Sequence, residues 1–171
     1  MKTFKILFAA LIIAGFATTV HAQQDTEVTA SAVVLQELTV LVPQNVDFGN
    51  VSQNVTATLN PSDGVTTNAG TGAEFGQLTI AGAANTEIFI SHPATVNLEH
   101  EGSGADLVYT PEMNFNTALG SGGNPITAAG SEHTLDGDGN GWVYIGGSLV
   151  VPETADTGEY TGAFDVTIVY N

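Results

Sequence analysis

The chain has no cysteine, and its only two basic residues are Lys2 and Lys5. Without cysteine it can form no disulfide, no thiolate metal site and no thiol nucleophile. Without Lys or Arg after residue 5, the rest of the chain cannot neutralise nucleic-acid phosphates, dock on anionic lipid or form Lys and Arg salt bridges. Hydrophobic burial and backbone hydrogen bonds must therefore carry the stability of the fold.

The first 22 residues have the layout of a secretory signal peptide. Lys2 and Lys5 precede an apolar run over residues 6–20, and small residues occupy the cleavage positions up to Ala22. The run is too short to span a membrane, so we expect export through the periplasm to the cell surface or medium, with no membrane insertion after cleavage. All 18 acidic residues lie after residue 24, so losing both lysines would leave a formal charge of −18.

The remaining sequence predicts an all-β fold. Apolar and polar residues alternate over 55–59, 86–90 and 142–145, which is the period of half-buried strands. Clusters of Gly, Asn, Asp and Pro separate these runs, as in a β-sandwich with many short strands. The Gly-rich stretch over residues 120–141 reads as a long exposed connection.

An unusually long apolar run opens the chain after the signal. It extends over residues 28–42, two to three times the length of a typical strand, and Gln36-Glu37 forms a natural break within it. We therefore predict an N-terminal extension over residues 23–36 and a domain over residues 37–171, with a strand beginning at Leu38. The extension is a candidate donor strand, and the side chains on its apolar face are Val28, Ala30, Ala32 and Val34.

The last segment is a strongly amphipathic strand. One face is largely apolar and includes Tyr160, Phe164, Val166, Ile168 and Tyr170. A strand this apolar is expected inside a sheet with a neighbour on each side. The sequence predicts that another segment covers its free edge.

Four stretches resemble a family of small secreted bacterial proteins described as a domain of unknown function, DUF4402. They lie at 46–49 (Val-Asp-Phe-Gly), 73–82, 146–152 and 158–171. The C-terminal pattern, with Gly158-Glu159-Tyr160 and Tyr170 near the end, is also similar to spore-coat-U-like and other chaperone–usher pilins.

The resemblance implies an immunoglobulin-like β-sandwich that lacks its last strand and is completed by donor-strand exchange. The expected function is that of a fimbria-like, adhesive subunit whose partners are further copies of itself and a periplasmic chaperone and usher. The residues leave a second arrangement open, in which 28–34 folds back into its own domain. The chain would then be a monomeric secreted immunoglobulin-like binding module.

Residues 136–141 match the opening of a calcium loop, with Asp136, Asp138 and Asn140 at alternating positions. An EF-hand is excluded, because the twelfth position is Gly147 where a bidentate Glu is needed. A calcium site of another kind, with Glu132 as an extra ligand, and a simple solvated turn both remain open. No other cofactor is indicated.

No catalytic motif is present. The sequence contains neither His-Glu-x-x-His nor Gly-x-Ser-x-Gly, and His92, His100 and His133 are expected on the surface. We expect a protein without enzymatic activity.

Overall fold

The computed structural model describes residues 29–171. By compactness the chain divides into residues 1–33 and residues 34–171. Residues 29–33, the described part of the first unit, form no helix or strand. The predicted signal peptide, the beginning of the predicted extension and Val28 lie outside the described residues.

Twelve strands make up the regular structure of the second unit, which confirms the all-β prediction. They are β1 (Thr39–Gln44), β2 (Val55–Leu59), β3 (Thr66–Thr67), β4 (Gly76–Ala81), β5 (Glu87–Ser91), β6 (Val96–His100), β7 (Leu107–Asn116), β8 (Asn124–Ile126), β9 (Ser131–Thr134), β10 (Asn140–Val151), β11 (Tyr160–Thr161) and β12 (Thr167–Tyr170).

The strands form a larger and a smaller sheet, in which all neighbouring strands are antiparallel. The larger sheet has the order β1-β4-β10-β7-β6-β11, with β2 beside β10, β3 beside β2 and β8 beside β7. The smaller sheet has the order β12-β5-β9. Strands β1 and β12 are therefore edge strands.

Side chains from both sheets meet in one hydrophobic cluster, as in a β-sandwich. Its buried members are Leu78, Ile80, Ile88, Ile90, Met113, Phe115, Ile126, Leu135, Val143 and Ile145. They come from alternate positions of their strands, because successive side chains of a strand point to opposite faces. Each fully buried Ile, Leu or Val contributes about 1.5–3 kcal/mol of hydrophobic stabilisation.

A second cluster extends the core along the same side of the larger sheet. Its buried members are Phe48, Ala57, Leu59, Val96, Leu107, Tyr109, Leu149, Val151 and Ala155. Val46 and Phe164 contact both clusters, so the hydrophobic interior is continuous. The long β10 joins the two parts, because Val143 and Ile145 belong to the first cluster and Leu149 and Val151 to the second.

Two sequence-based expectations need correction. Residues 120–141 are not one long exposed connection, because they contain β8, β9 and the buried Ile126 and Leu135. Two of the three histidines expected on the surface are buried, with His92 8% and His133 6% exposed. Isolated apolar residues between glycines gave too short a pattern to indicate a strand.

Candidate functional site

The last amphipathic segment divides between the two sheets instead of forming one continuous strand. Tyr160 and Thr161 pair with β6 in the larger sheet, and 167–170 pair with β5 in the smaller one. Residues 162–166 have no strand partner. At Gly162 an added Cβ would meet the backbone oxygen of Asn97 at 2.5 Å, so the chain passes too close to β6 for a side chain.

Half-buried and exposed side chains alternate along this segment as predicted, including residues 162–166, which pair with no strand. The side chains predicted for the acceptor face are all half-buried: Tyr160, Phe164, Val166, Ile168 and Tyr170. The residues between them are all exposed. The last four residues of that face pack against the first hydrophobic cluster without being fully covered by it.

One edge of β12 has no neighbouring strand in the described residues. The amide of Asn171 donates to the carbonyl oxygen of Glu87 at 3.1 Å, which fixes that pair as hydrogen-bonded. Hydrogen-bonded pairs alternate along an antiparallel ladder, so Thr167 and Val169 also direct their backbone groups toward β5. The backbone N–H and C=O groups of Ile168 and Tyr170 therefore face the free edge.

The side chain of Tyr170 links this strand to the segment before β1 by a hydrogen bond. Its hydroxyl donates a hydrogen bond to the carbonyl oxygen of Gln36 at 2.7 Å and accepts one from the amide of Ala83 at 2.8 Å. Position 82 favours glycine, because an added Cβ would force the Tyr170 hydroxyl oxygen to move. The Gly82 backbone thus packs against the hydroxyl end of the Tyr170 side chain.

The edge of the larger sheet is also incompletely covered. Val40 of β1 lies opposite Ile80 of β4, so both side chains are on the core-facing side of the sheet. Ile80 is 1% exposed, whereas Val40 is 40% exposed. The apolar interior is therefore open beside β1.

The predicted donor residues that the structure describes are exposed. Ala30, Ala32 and Val34 lie outside any strand, and Val34 is 92% exposed. On the alternate face of the run, Val33 is 87% exposed. Val28, the remaining predicted donor residue, lies outside the described residues.

The predicted calcium loop is a tight turn between β9 and β10. The carboxylate Oδ1 of Asp136 accepts hydrogen bonds from the amides of Asp138 at 2.9 Å and Asn140 at 2.7 Å. One oxygen of this carboxylate therefore caps its own turn. The additional ligand suggested by sequence, Glu132, instead accepts a hydrogen bond from the side-chain amide of Asn171 at 2.9 Å.

Within residues 29–171, no group of three His, Asp or Glu side chains is placed to hold a metal ion. The calcium site stays a sequence prediction. No helix in this part of the chain has the length and apolar composition needed to cross a lipid bilayer.

Sequence reasoning missed a polar side chain in the core. The ring of His133 stacks on Phe115 with centroids 4.8 Å apart, and its Nε2 atom is buried without a hydrogen-bond partner. Burial lowers the pKa of His133 below its ordinary value of 6.5. The residue borders a cavity of about 270 Å³ between β7 and β9 that Asn116 and Asn124 also line.

A family model described as a domain of unknown function, DUF4402, matches residues 38–170. The chain belongs to the DUF4402 family. The match contains all twelve strands, from β1 to β12, and so includes both open edges described above. None of the curated proteins matches the chain significantly.

Proposed function

We propose that this DUF4402 protein is an exported subunit of a fimbria-like surface filament in which each copy completes the fold of the next. The apolar segment 28–34 of one copy adds a strand beside β12 of its neighbour. The observation that carries the proposal is the free edge of β12, where unpaired backbone groups adjoin a half-covered apolar face. Strand addition at such an edge satisfies both the backbone and the apolar side chains.

The strand order supports an immunoglobulin-like domain that lacks one strand. Such domains place strands A, B, E and D in one sheet and C, F and G in the other. By their order in the larger sheet, β1, β4, β10 and β7 correspond to A, B, E and D, and in the smaller sheet β5 and β12 correspond to C and F. The position of strand G is the free edge of β12.

The N-terminal segment has the chemistry that this edge requires. Residues 28–36 carry no charge in a chain that is otherwise acidic, so they can enter a sheet without burying a carboxylate. Residues 28–34 match the seven residues of 164–170 in length, about 23 Å when extended. Val28 and Val34 supply the larger apolar anchors at the two ends of the segment.

The proposal also explains why a chaperone and an usher are expected partners. An unassembled subunit has an open strand edge and an incomplete core, which promotes unspecific pairing with other chains. A periplasmic chaperone that pairs temporarily with β12 prevents this, and an usher exchanges it for the next subunit. The resemblance to chaperone–usher pilins supports these roles.

The test uses the chain that begins at Gln23 and two aspartate variants of neighbouring residues. Val34→Asp places a charge on the face that contacts the core of the neighbouring copy, and it should leave the protein folded but unable to form filaments. Val33→Asp, the matched control, places the charge on the opposite face and should leave assembly nearly intact. Electron microscopy and sedimentation would measure filament formation.

A deletion of residues 23–36 gives an independent result. We expect folded protein that does not polymerise and that becomes more stable when a synthetic peptide of residues 26–36 is added. A wild-type chain that stays monomeric, with a melting temperature unchanged by the deletion, would contradict strand exchange.

A further inference from the structure

The outer face of the larger sheet carries the chain's only tryptophan. Trp142 of β10 and Tyr144, two residues further along, are half-buried, whereas Val143 between them belongs to the core. Successive side chains of a strand point to opposite faces, so both aromatic side chains lie on the side of the sheet away from the hydrophobic interior. The ring of Phe75 stacks on that of Tyr144, with the two centroids 4.6 Å apart.

The neighbouring strands extend these rings into a wider surface. Thr79 of β4 lies opposite Trp142, and Gln77 lies opposite Tyr144. One strand further out, Leu41 of β1 lies opposite Thr79 and is 63% exposed. We call these six residues the aromatic face; its members are Leu41, Phe75, Gln77, Thr79, Trp142 and Tyr144.

The aromatic face is free of charge. Strands β1, β4 and β10 contain no Asp or Glu, although the chain has 18 such residues. A carboxylate borders the face at Glu74, and its side chain accepts a hydrogen bond from the amide of Gln44. The face therefore combines aromatic rings, an aliphatic side chain, an amide and hydroxyl groups.

Loops close one side of the aromatic face. Asn114 of β7 lies opposite Tyr144 and points outward, because its neighbours along the strand are in the core. It is nevertheless 3% exposed, and its side-chain amide donates a hydrogen bond to Ser62 Oγ at 3.0 Å. The amide of Gly122 donates to the carbonyl oxygen of Pro61 at 2.9 Å, so the β7–β8 loop lies beside the same cover. On the opposite side, no strand of the described residues lies beyond β1.

The chemistry of the face fits a neutral ligand that carries many hydroxyl groups. An anionic ligand is repelled, since no Lys or Arg follows residue 5. A cationic ligand gains most at the acidic surfaces elsewhere on the molecule. Sugar hydroxyls both donate and accept hydrogen bonds, as do the amide of Gln77 and the hydroxyls of Thr79 and Tyr144. The apolar C–H surface of a sugar ring is buried favourably against side chains such as Trp142 and Leu41.

We propose that the aromatic face binds a neutral polysaccharide, with Trp142 as the central contact. This site lies on the larger sheet, whereas strand addition uses the free edge of β12 in the smaller sheet. The site is therefore available in a monomer and in an assembled subunit alike. If the proposed filament forms, it repeats the face on every subunit, and many weak contacts then add up on one polysaccharide chain.

The test uses the fluorescence of Trp142, which reports on the proposed site alone because the chain has no other tryptophan. The chain from Gln23 is titrated with the neutral polymers dextran, hydroxyethylcellulose and galactomannan, and with anionic carboxymethylcellulose. We expect at least one neutral polymer to change the emission to saturation and to protect Trp142 from quenching by acrylamide. Carboxymethylcellulose should bind more weakly than hydroxyethylcellulose at low salt, because its charge is repelled.

Substitutions locate the binding on the face, measured by electrophoresis in gels that contain the bound polymer. Trp142→Ala should weaken binding about tenfold or more, as for an aromatic anchor at the centre of a contact. Leu41→Ala removes a largely exposed side chain, so it leaves the fold intact and should still weaken binding. Val150→Ala is the matched control and should bind like the wild type, because Val150 is 54% exposed on the outer side of β10 but lies outside the aromatic face.

The outcomes separate this proposal from strand exchange. If none of the neutral polymers changes the emission of Trp142, the site is refuted, whether or not the chain forms filaments. Binding that Trp142→Ala and Leu41→Ala leave unchanged, or that is strongest for carboxymethylcellulose, refutes it as well. If the chain binds a neutral polymer at this face but forms no filaments, the site stands and strand exchange fails.

Discussion

The hydroxyl group of Tyr170 donates a hydrogen bond to the backbone carbonyl of Gln36. This contact joins the last strand to the segment that precedes the first strand, 134 positions away in the sequence. It holds the chain at the boundary between the predicted extension and the domain. The free edge of β12 therefore begins beside the point where the extension leaves the domain.

Replacing Tyr170 by Phe should destabilise the domain by about 1–2 kcal/mol, since two hydrogen bonds are lost and each contributes about 0.5–1.5 kcal/mol. Urea unfolding monitored by Trp142 fluorescence would measure the change. Tyr160→Phe is the matched control, because its hydroxyl donates only to the nearby carbonyl of Asp156. Equal losses in both variants would contradict the importance of the Tyr170 contact.

Gly82→Ala should destabilise the domain by about 1–3 kcal/mol, as expected when a methyl group is forced into a packed site. The new Cβ would collide with the Tyr170 hydroxyl and approach Leu38 Cδ1 to 3.0 Å. Gly137→Ala is the control, since nothing lies within 4 Å of its added Cβ. A neutral Gly82→Ala variant would show that the tyrosine is not held where the structure has it.

Stability should depend on pH through His133. Burial lowers its folded-state pKa below the unfolded value of 6.5, so the unfolded chain binds the proton more readily. The contribution of this residue to stability is complete above pH about 6.5 and is lost as the pH falls toward the folded-state pKa. The loss in free energy of unfolding from pH 7.5 to pH 5.5 should be smaller in His133→Leu, where this titration is absent.

The comparison chain for that experiment is His100→Leu, which also removes one histidine but leaves the buried ring of His133 in place. Carboxylate protonation affects all three chains in the same direction and cancels in the comparison. A His133→Leu chain with the pH dependence of the wild type would rule out the role of His133.

Salt should raise the melting temperature of the chain that begins at Gln23. Its 18 carboxylates have no Lys or Arg partner beyond residue 5, so the compact state suffers net repulsion that salt screens. A gain of about 1 kcal/mol corresponds to a rise of roughly 2–4 °C for a chain of this size. Calorimetry between 0.02 and about 0.5 M NaCl measures this, and a melting temperature that falls with salt would contradict it.

The sequence predicted the parts of the fold whose pattern is local. Alternation located β2, β5 and β10, and the break at Gln36-Glu37 located the beginning of β1 near Leu38. It could not predict that the last segment changes sheets, because the change depends on pairing with β6 and β5, which are distant in the sequence. The burial of His133 was missed for the same reason, since Phe115 covers its ring.

The candidate site was predictable in chemistry but not in geometry. Alternation identified the apolar face of Phe164, Val166, Ile168 and Tyr170, whereas the free edge depends on which strands pair with β5. At the predicted calcium loop the residue types fit a metal, and the structure adds that Asp136 accepts hydrogen bonds from the amides of Asp138 and Asn140.

The most direct measurement uses the absence of cysteine. A chain from Gln23 with Ser31→Cys and Thr167→Cys has one thiol on the outward face of the donor segment and one on the outward face of β12. After mild oxidation, a non-reducing denaturing gel should show a ladder of covalently linked subunits, because the two thiols meet only between copies. A single monomer band, with its thiols either joined to each other or free, would contradict strand exchange.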